Sequence, residues 1–346
     1  MARVAVLPGD GVGKEVTREA ARVLGAVRPD IELVEWPHGA DRFLATGATI
    51  TDAEFLDLQR NYDAILLGAL GDPRVPGNEH ARQILLGMRF RLDLFINFRP
   101  VRLLHERLCP LKGKTEGDLN FVIFRENTEG VYVGMGGTFK QGTPDEVAIQ
   151  EDMNTRKGVE RIIRAAFEYA RLHGHERVTL SDKANAMEFA GGLWRRVFAE
   201  VSREYPEIER EALYVDMLAM DIVRRPERYR VIVTGNLFGD ILSDLGAALV
   251  GGLGLTASGN IHPGRVSLFE PVHGSAPDIA GKDMANPLAA ILSSALMLRH
   301  LGDEAAAARV EEAVRATVFA GEVTSDLGGT LGTAAAGDAV LRRLEA

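Results

Sequence analysis

Val233-Thr-Gly-Asn-Leu-Phe-Gly-Asp240-Ile-Leu-Ser-Asp244 opens on the end of an apolar, β-branched run, Val231 to Val233, whose composition predicts a strand. The run breaks at Gly235-Asn236 and continues in a helical pattern. A buried strand feeding straight into a helix is the building unit of an α/β sheet. Asp240 and Asp244 are one turn apart and so share a face of that helix, while Ile241 and Leu242 are expected to point toward a core. Like charges at this spacing repel. A hard divalent cation with oxygen ligands would turn the repulsion into binding; two solvated carboxylates are the other reading.

Outward from this stretch the same alternation recurs. Strands are predicted at Val4–Leu7, Ile31–Trp36, Ala64–Leu67, Phe95–Leu103, Phe121–Phe124, Val178–Leu180, Leu213–Val215 and Val266–Phe269. Helices are predicted from about Val12 to Val27, Glu79 to Leu92 and Thr155 to Leu172, the last with Val159, Ile162, Ile163, Ala166 and Tyr169 on one side, and three Ala-rich helices close the chain. Val131–Val133 and Glu146–Gln150 flank a glycine-punctuated segment and suggest the two strands of a hairpin arm. Gly251 to Gly259 reads as a turn region. The chain of 346 residues, 46% apolar, is long enough for a large α/β unit or two domains, and any second domain is expected as an insertion.

Forty basic against forty-nine acidic residues give a net charge of −9, which argues against nucleic acid or an anionic membrane as partner. A single cysteine, Cys109, fits a reducing compartment. Neither a signal segment nor a stretch of 18 apolar residues is present, so cytoplasm is the expected location.

Several constellations carry possible chemistry. Pro8-Gly-Asp-Gly-Val-Gly-Lys14 joins a strand to a helix, where glycines allow close backbone approach to an anion. It lacks the third glycine of a dinucleotide fingerprint, so a plain tight turn is the competing reading. Arg89, Arg99, Arg102 and Arg125 lie around strands, positions suited to forked hydrogen bonds with carboxylates or to surface ion pairs. Lys183 and Asp216 are both expected at strand C-termini, a ligand-binding place in open sheets. Tyr132 is either a proton donor or a hairpin aromatic. Asp278, in the loop His273-Gly-Ser-Ala-Pro-Asp278, suits the ribose hydroxyls of NAD or a turn.

In this order the segments resemble the metal-dependent β-decarboxylating dehydrogenases, the isocitrate/isopropylmalate dehydrogenase family. The resemblance spans nearly the whole chain and rests on Pro8–Gly13, Asn97-Phe-Arg-Pro-Val-Arg102, Arg125-Glu-Asn-Thr-Glu-Gly-Val-Tyr132, Asn236–Asp244 and Glu270-Pro-Val-His-Gly-Ser-Ala-Pro-Asp-Ile-Ala-Gly281. It implies an α/β, non-Rossmann fold: a discontinuous nucleotide-binding domain, 1–97 and 250–346, with an inserted substrate, metal and dimerisation domain, 98–249. It implies that Arg89, Arg99 and Arg125 grip the malate carboxylates, that Tyr132 and Lys183 are the acid–base pair, and that Asp216, Asp240 and Asp244 bind Mg²⁺ or Mn²⁺. Lys183 and Asp216 would serve the neighbouring subunit of a homodimer. Gly11, Val12, His273, Gly274, Ser275, Ala276, Asp278, Ile279 and Asn286 would hold NAD, with Asp278-Ile279 matching the NAD-using pattern.

Substrate choice within the family rests on the helix Arg82-Gln-Ile-Leu-Leu-Gly-Met-Arg89. Leu85 and Leu86 resemble the apolar pair that receives the alkyl group of 3-isopropylmalate, and its oxidation to 2-oxoisocaproate, in leucine biosynthesis, is the expected reaction. Arg82 stands where Glu is usual, and Gly134-Met-Gly-Gly137 with Glu146–Glu151 looks closer to tartrate or D-malate dehydrogenases. A homoisocitrate- or isocitrate-type enzyme and a non-catalytic regulatory subunit are the further alternatives. Lys14 and Gly235 also depart from the family pattern.

Overall fold

The alternation of apolar runs and 3.6-residue periods emerges in the computed structural model, which describes residues 2–345, as strands β1 (Arg3–Gly9), β2 (Glu32–Glu35), β3 (Ala64–Ala69), β4 (Ile96–Arg102), β5 (Asn120–Glu126), β6 (Gly136–Phe139), β7 (Val147–Gln150), β8 (Arg177–Asp182), β9 (Glu209–Tyr214), β10 (Val231–Thr234), β11 (Ala257–Ile261) and β12 (Ser267–Pro271). The helices are α1 (Gly13–Val27), α2 (Ala40–Thr46), α3 (Asp52–Asn61), α4 (Glu79–Arg91), α5 (Arg156–Leu172), α6 (Glu188–Val201), α7 (Val215–Arg224), α8 (Asn236–Leu249), α9 (Leu288–His300), α10 (Glu304–Phe319) and α11 (Thr333–Glu345).

The chain divides into two units. The first holds the residues up to Leu94, Arg99–Leu119 and those from Ala247 onward; the second holds Phe95–Phe98 and Asn120–Gly246. Residues 99–119, placed by the sequence reading in the insert, therefore group with the first unit.

In the first unit the strand order is β2-β1-β3-β12-β11. β1 runs parallel to β2 and β3, β3 parallel to β12, and β11 antiparallel to β12. β3 is buried at every position, as expected of a parallel strand covered on both faces. Ile65 and Leu67 meet Phe55 and Leu58 of α3 and Ile84 and Met88 of α4 in one core cluster. The opposite face receives α1 and α9. Truncating Ile84 or Met88 to Ala would cost about 2–5 kcal/mol by the usual cavity penalty.

The second unit aligns β5-β10-β8-β9, all parallel. α5 lays Val159, Ile162, Ile163, Ala166, Phe167 and Ala170 into its core. β6 and β7 form a separate antiparallel ribbon, with Gly136 opposite Gln150 and Phe139 opposite Val147, and every residue of both strands is exposed.

Four local expectations change. The ribbon's first strand is Gly136–Phe139, and Val131–Val133 is a 3₁₀ turn. Asp216 lies in the first turn of α7, because Val215 already begins that helix. Leu242 is buried, but Ile241 is 57% exposed, so only one of the pair faces the core. The Gly251–Gly259 region is partly strand, since β11 begins at Ala257. Among the described residues no helix is long and apolar enough to cross a membrane.

Candidate active site

In the first unit β1 ends at Gly9 and the chain turns sharply into α1. Gly11 has φ +52°, and a Cβ there would lie 2.1 Å from the Ser275 carbonyl oxygen, so this close approach requires glycine. The Val12 amide donates to that same carbonyl at 2.9 Å, which seats the turn against the 273–279 loop. Ala276 has φ +37°, and the Ile279 amide returns to its carbonyl at 3.1 Å. Gly274 and Asp278 are exposed beside this turn. Burial pushes the His273 imidazole below its ordinary pKa, and its shielded Nε2 has no hydrogen-bond partner. Asn286 is committed locally: its amide donates to Asp326 at 3.0 Å and its oxygen accepts from the Leu288 amide at 3.0 Å, fastening the start of α9.

α4 carries the expected specificity residues. Leu85 is half-buried and packs on the core cluster, Leu86 is half-buried and Arg82 is exposed. Arg89 is buried, with its guanidinium 3.4 Å from Glu270, which also accepts from Asn260 at 2.8 Å. Glu270, not singled out from the sequence, thus orients this arginine. Arg99, on β4, is buried as well.

In the second unit Arg125 is the penultimate residue of β5 and is 1% exposed. Its Nε donates to Asn236 Oδ1 at 3.0 Å and an η-nitrogen donates to Asp240 Oδ1 at 2.5 Å. The Tyr132 hydroxyl donates to the other oxygen of Asp240 at 2.8 Å. Three expected site residues therefore meet at one carboxylate. Asn236 was hidden inside the motif; its amide reaches back to the Glu129 carbonyl at 2.9 Å and locks the β5 loop to α8. Glu129 in turn accepts from the Thr155 amide at 2.7 Å and from its hydroxyl at 2.5 Å. Gly239 leaves room for the arginine: a Cβ there would meet the Arg125 stem at 2.5 Å. Asp244 is exposed one turn further along α8.

Lys183 and Asp216 form a second cluster, with Nζ 2.6 Å from Oδ1. That contact holds the Asp216 carboxyl below the usual carboxylate range. The preceding Asp182 is buried and accepts from the Ala184 amide and from Arg195 Nε, each at 2.7 Å, which fixes the turn that presents Lys183. Among the described residues no group of three or more His, Cys, Asp or Glu side chains is placed to hold a metal, so Asp216 is not gathered with Asp240 and Asp244 within one chain. The donor chemistry of the three carboxylates nevertheless suits a hard divalent ion, and the Gly11–Ser275 contact with the orphaned His273 nitrogen suits a closely apposed nucleotide.

Residues 3–340 match the model of the family described as isocitrate/isopropylmalate dehydrogenase. The chain belongs to the isocitrate/isopropylmalate dehydrogenase family. A 3-isopropylmalate dehydrogenase of Corynebacterium jeikeium is 50% identical over 99% of this chain and 100% of its own. One of Streptomyces griseus is 51% identical over 90% of this chain and 91% of its own. Among solved structures, an isocitrate dehydrogenase from Methylococcus capsulatus superposes with a TM-score of 0.92 at 39% identity, each chain covered in full. A β-decarboxylating dehydrogenase from Thermococcus kodakarensis gives 0.83 at 38% identity over 100% of this chain and 96% of its own. The fold expected from the sequence is thus the fold of the family.

Proposed function

We propose that this chain is an NAD- and Mg²⁺- or Mn²⁺-dependent dehydrogenase that oxidatively decarboxylates 3-isopropylmalate to 2-oxoisocaproate, a step of leucine biosynthesis, in the cytoplasm. The reading is carried by the intact Arg125–Asp240–Tyr132 cluster on a chain half identical to two enzymes named for that substrate. It disfavours a non-catalytic subunit, in which acid–base or ligand residues have no reason to persist.

When bound, the divalent ion would be held by Asp240 and Asp244 with a neighbour's Asp216 and supply charge to the 2-oxygen, and the nicotinamide would accept hydride. Arg89, Arg99 and Arg125 bind the two carboxylates of the malate with charge-assisted hydrogen bonds. The Lys183 amine takes the 2-hydroxyl proton as the C2 hydride departs. Loss of CO₂ from the resulting β-keto carboxylate leaves an enolate, which the Tyr132 hydroxyl protonates at C3; the proton that Lys183 took from the 2-hydroxyl then restores the phenol, so none is gained or lost. Leu85 and Leu86 offer apolar surface to the isopropyl group, worth about 0.8 kcal/mol per buried CH₂.

The homodimer is part of the same proposal. Met217, Met220 and Val223 of α7, Leu237 and Ile241 of α8, and Phe139, Val147 and Ile149 of the ribbon are all exposed. An isolated two-stranded ribbon is marginal in water, so a second copy covering these faces would stabilise it and deliver Lys183 and Asp216 to the neighbouring site.

Steady-state rates on 3-isopropylmalate, D-malate, tartrate, isocitrate and homoisocitrate, with NAD and excess Mg²⁺, test the reading. 3-Isopropylmalate should exceed D-malate in kcat/KM by about tenfold or more. A higher kcat/KM on D-malate or tartrate would reject the apolar wall; loss of isopropylmalate activity in favour of a tricarboxylate would point to Arg82 as an anion partner.

A further inference from the structure

Asp10 sits inside the turn that approaches Ser275, and its own side chain is committed to partners within the protein. It is 3% exposed. One carboxylate oxygen accepts from the Ala40 amide at 2.7 Å, and the other accepts from the Gly71 amide at 2.9 Å and lies 2.8 Å from His80 Nε2. Its amide donates to the Ala69 carbonyl at 2.7 Å. The carboxylate therefore joins the turn after β1 to the segment that follows β3, the start of α2 and the first turn of α4. Two of its three donors are backbone groups, and His80 supplies the third.

His80 is itself fully buried, and its ring lies 5.9 Å from that of Phe43. Along α4 it is followed at four-residue spacing by Ile84 and Met88, both also 0% exposed. These three make one buried seam, and the helix geometry places Leu85 and Arg89 beside it. The cap position before the helix, Asn78, has φ +50° and no side-chain cap; its oxygen accepts instead from the Asp72 amide at 3.0 Å. The orientation of the first turn of α4 is thus set by the His80–Asp10 contact. A buried carboxylate deprived of one of its donors is strongly disfavoured, so the two groups hold each other.

We propose that Asp10 and His80 are a positioning pair that fixes the substrate-selecting helix α4 relative to the cofactor turn. Nicotinamide affinity and discrimination among 3-substituted malates then depend on the same contact. The inference rests on the functional reading above. A displaced carboxylate disturbs Gly11 and Val12 on one side; a rotated α4 moves Leu85, Leu86 and Arg89 on the other.

The test uses the full-length protein. In the wild type, NADH alone, with no malate present, should slow amide exchange in 79–91; unchanged exchange there on saturation with NADH overturns the pair. His80→Leu keeps volume and removes the donor. It should weaken NADH binding, read by fluorescence titration, by about fivefold or more and lower the kcat/KM ratio of 3-isopropylmalate over D-malate by about tenfold. His80→Gln, which retains an N–H donor at similar reach, should recover most of both. A Leu variant that is merely less heat-stable, with wild-type NADH affinity and wild-type selectivity, leaves only a structural role and rejects the proposal. If His80→Leu does not fold, the exchange measurement and His80→Gln decide alone, near-normal affinity and selectivity in Gln being the required result. A wild type that binds NADH and protects α4 but oxidises no malate refutes the substrate assignment and leaves the pair standing; a wild type that binds no NADH refutes both.

Discussion

Gly239 shows how a residue without a side chain governs a charged one. The Arg125 stem occupies the space that a Cβ would fill, at 2.5–3.0 Å. Gly239→Ala should therefore displace a guanidinium that is otherwise held by Asn236 and Asp240. We expect a stability loss of about 1–3 kcal/mol, the usual cost of overpacking, and a rise in KM for the hydroxy acid with little change in KM for NAD. Wild-type kinetics for Gly239→Ala would show that Arg125 does not bind substrate. On the proposed reading Asp278 would govern cofactor choice in a simpler way, its exposed carboxylate repelling a 2′-phosphate. NAD should be preferred over NADP by about tenfold, or about 1.4 kcal/mol, and Asp278→Lys should erase the preference; a wild type indifferent to the phosphate would place the ribose elsewhere. Lys14, one of the two departures from the family pattern, has a local explanation: its ammonium is 2.7 Å from Asp41, tying α1 to α2. Nothing in the structure explains Gly235, whose added Cβ would meet only the Trp194 ring at an ordinary 3.7 Å.

At the level of elements, α3 illustrates both stability and legibility. Thr51 and Glu54 form a reciprocal capping box at its start. Burial alone would raise the Glu54 carboxyl, but Arg42 and Thr51 outweigh it and hold the pKa at about 2. A depressed folded pKa means that the stabilisation is complete above the unfolded value of about 4.3 and is lost as pH falls toward 2. Glu54→Gln should therefore lower stability by about 1–2 kcal/mol at pH 7, after allowance for partial exposure. The gap from wild type should narrow between about pH 4 and pH 2 in thermal melts; a gap independent of pH would mean that Arg42 contributes through packing. The Thr51-x-x-Glu54 signal was present in the sequence, but the polar stretch around it hid α2 and α3. The long apolar strands and α1, α4 and α5 were readable because burial imposes their period. The ribbon's first strand is not legible in the sequence because Gly136-Gly-Thr-Phe139 has no alternation to read. Asp216 reads as a strand end because Val215 prolongs the apolar run Ala212-Leu-Tyr214 that closes β9. The roles of Asn236, Glu129 and Glu270 could not be seen, since their partners are distant in sequence and only the fold brings them near.

Across the whole molecule, five candidate site residues of the second unit fall into two clusters, Arg125 and Tyr132 around Asp240 and Lys183 joined to Asp216. If each catalytic centre draws one cluster from each subunit, subunits inactivated by Tyr132→Phe and by Lys183→Ala should recover activity when mixed. With random exchange, the heterodimer would carry one intact centre. No recovery in heterodimers shown to have formed would establish self-contained sites. Replacing the exposed Phe139 and Ile149 of the ribbon with Ser should shift the protein toward monomer in sedimentation and reduce turnover in parallel; an unchanged dimer would remove the ribbon from the interface.

The interrupted course of the chain also bears on how the protein comes into being on the ribosome. β12 lies beside β3 in the first unit, although about two hundred residues separate them in the chain. Residues 120–246 of the second unit, by contrast, are contiguous. During synthesis the insert becomes complete while its host still lacks the last hundred or so residues, and β3 must wait with one edge bare. Nascent chains arrested shortly after the insert emerges should therefore yield a protease-resistant core from 120–246 and a readily cleaved N-terminal segment; equal resistance of both would contradict this order. The inserted unit is complete before its host has received its last strands.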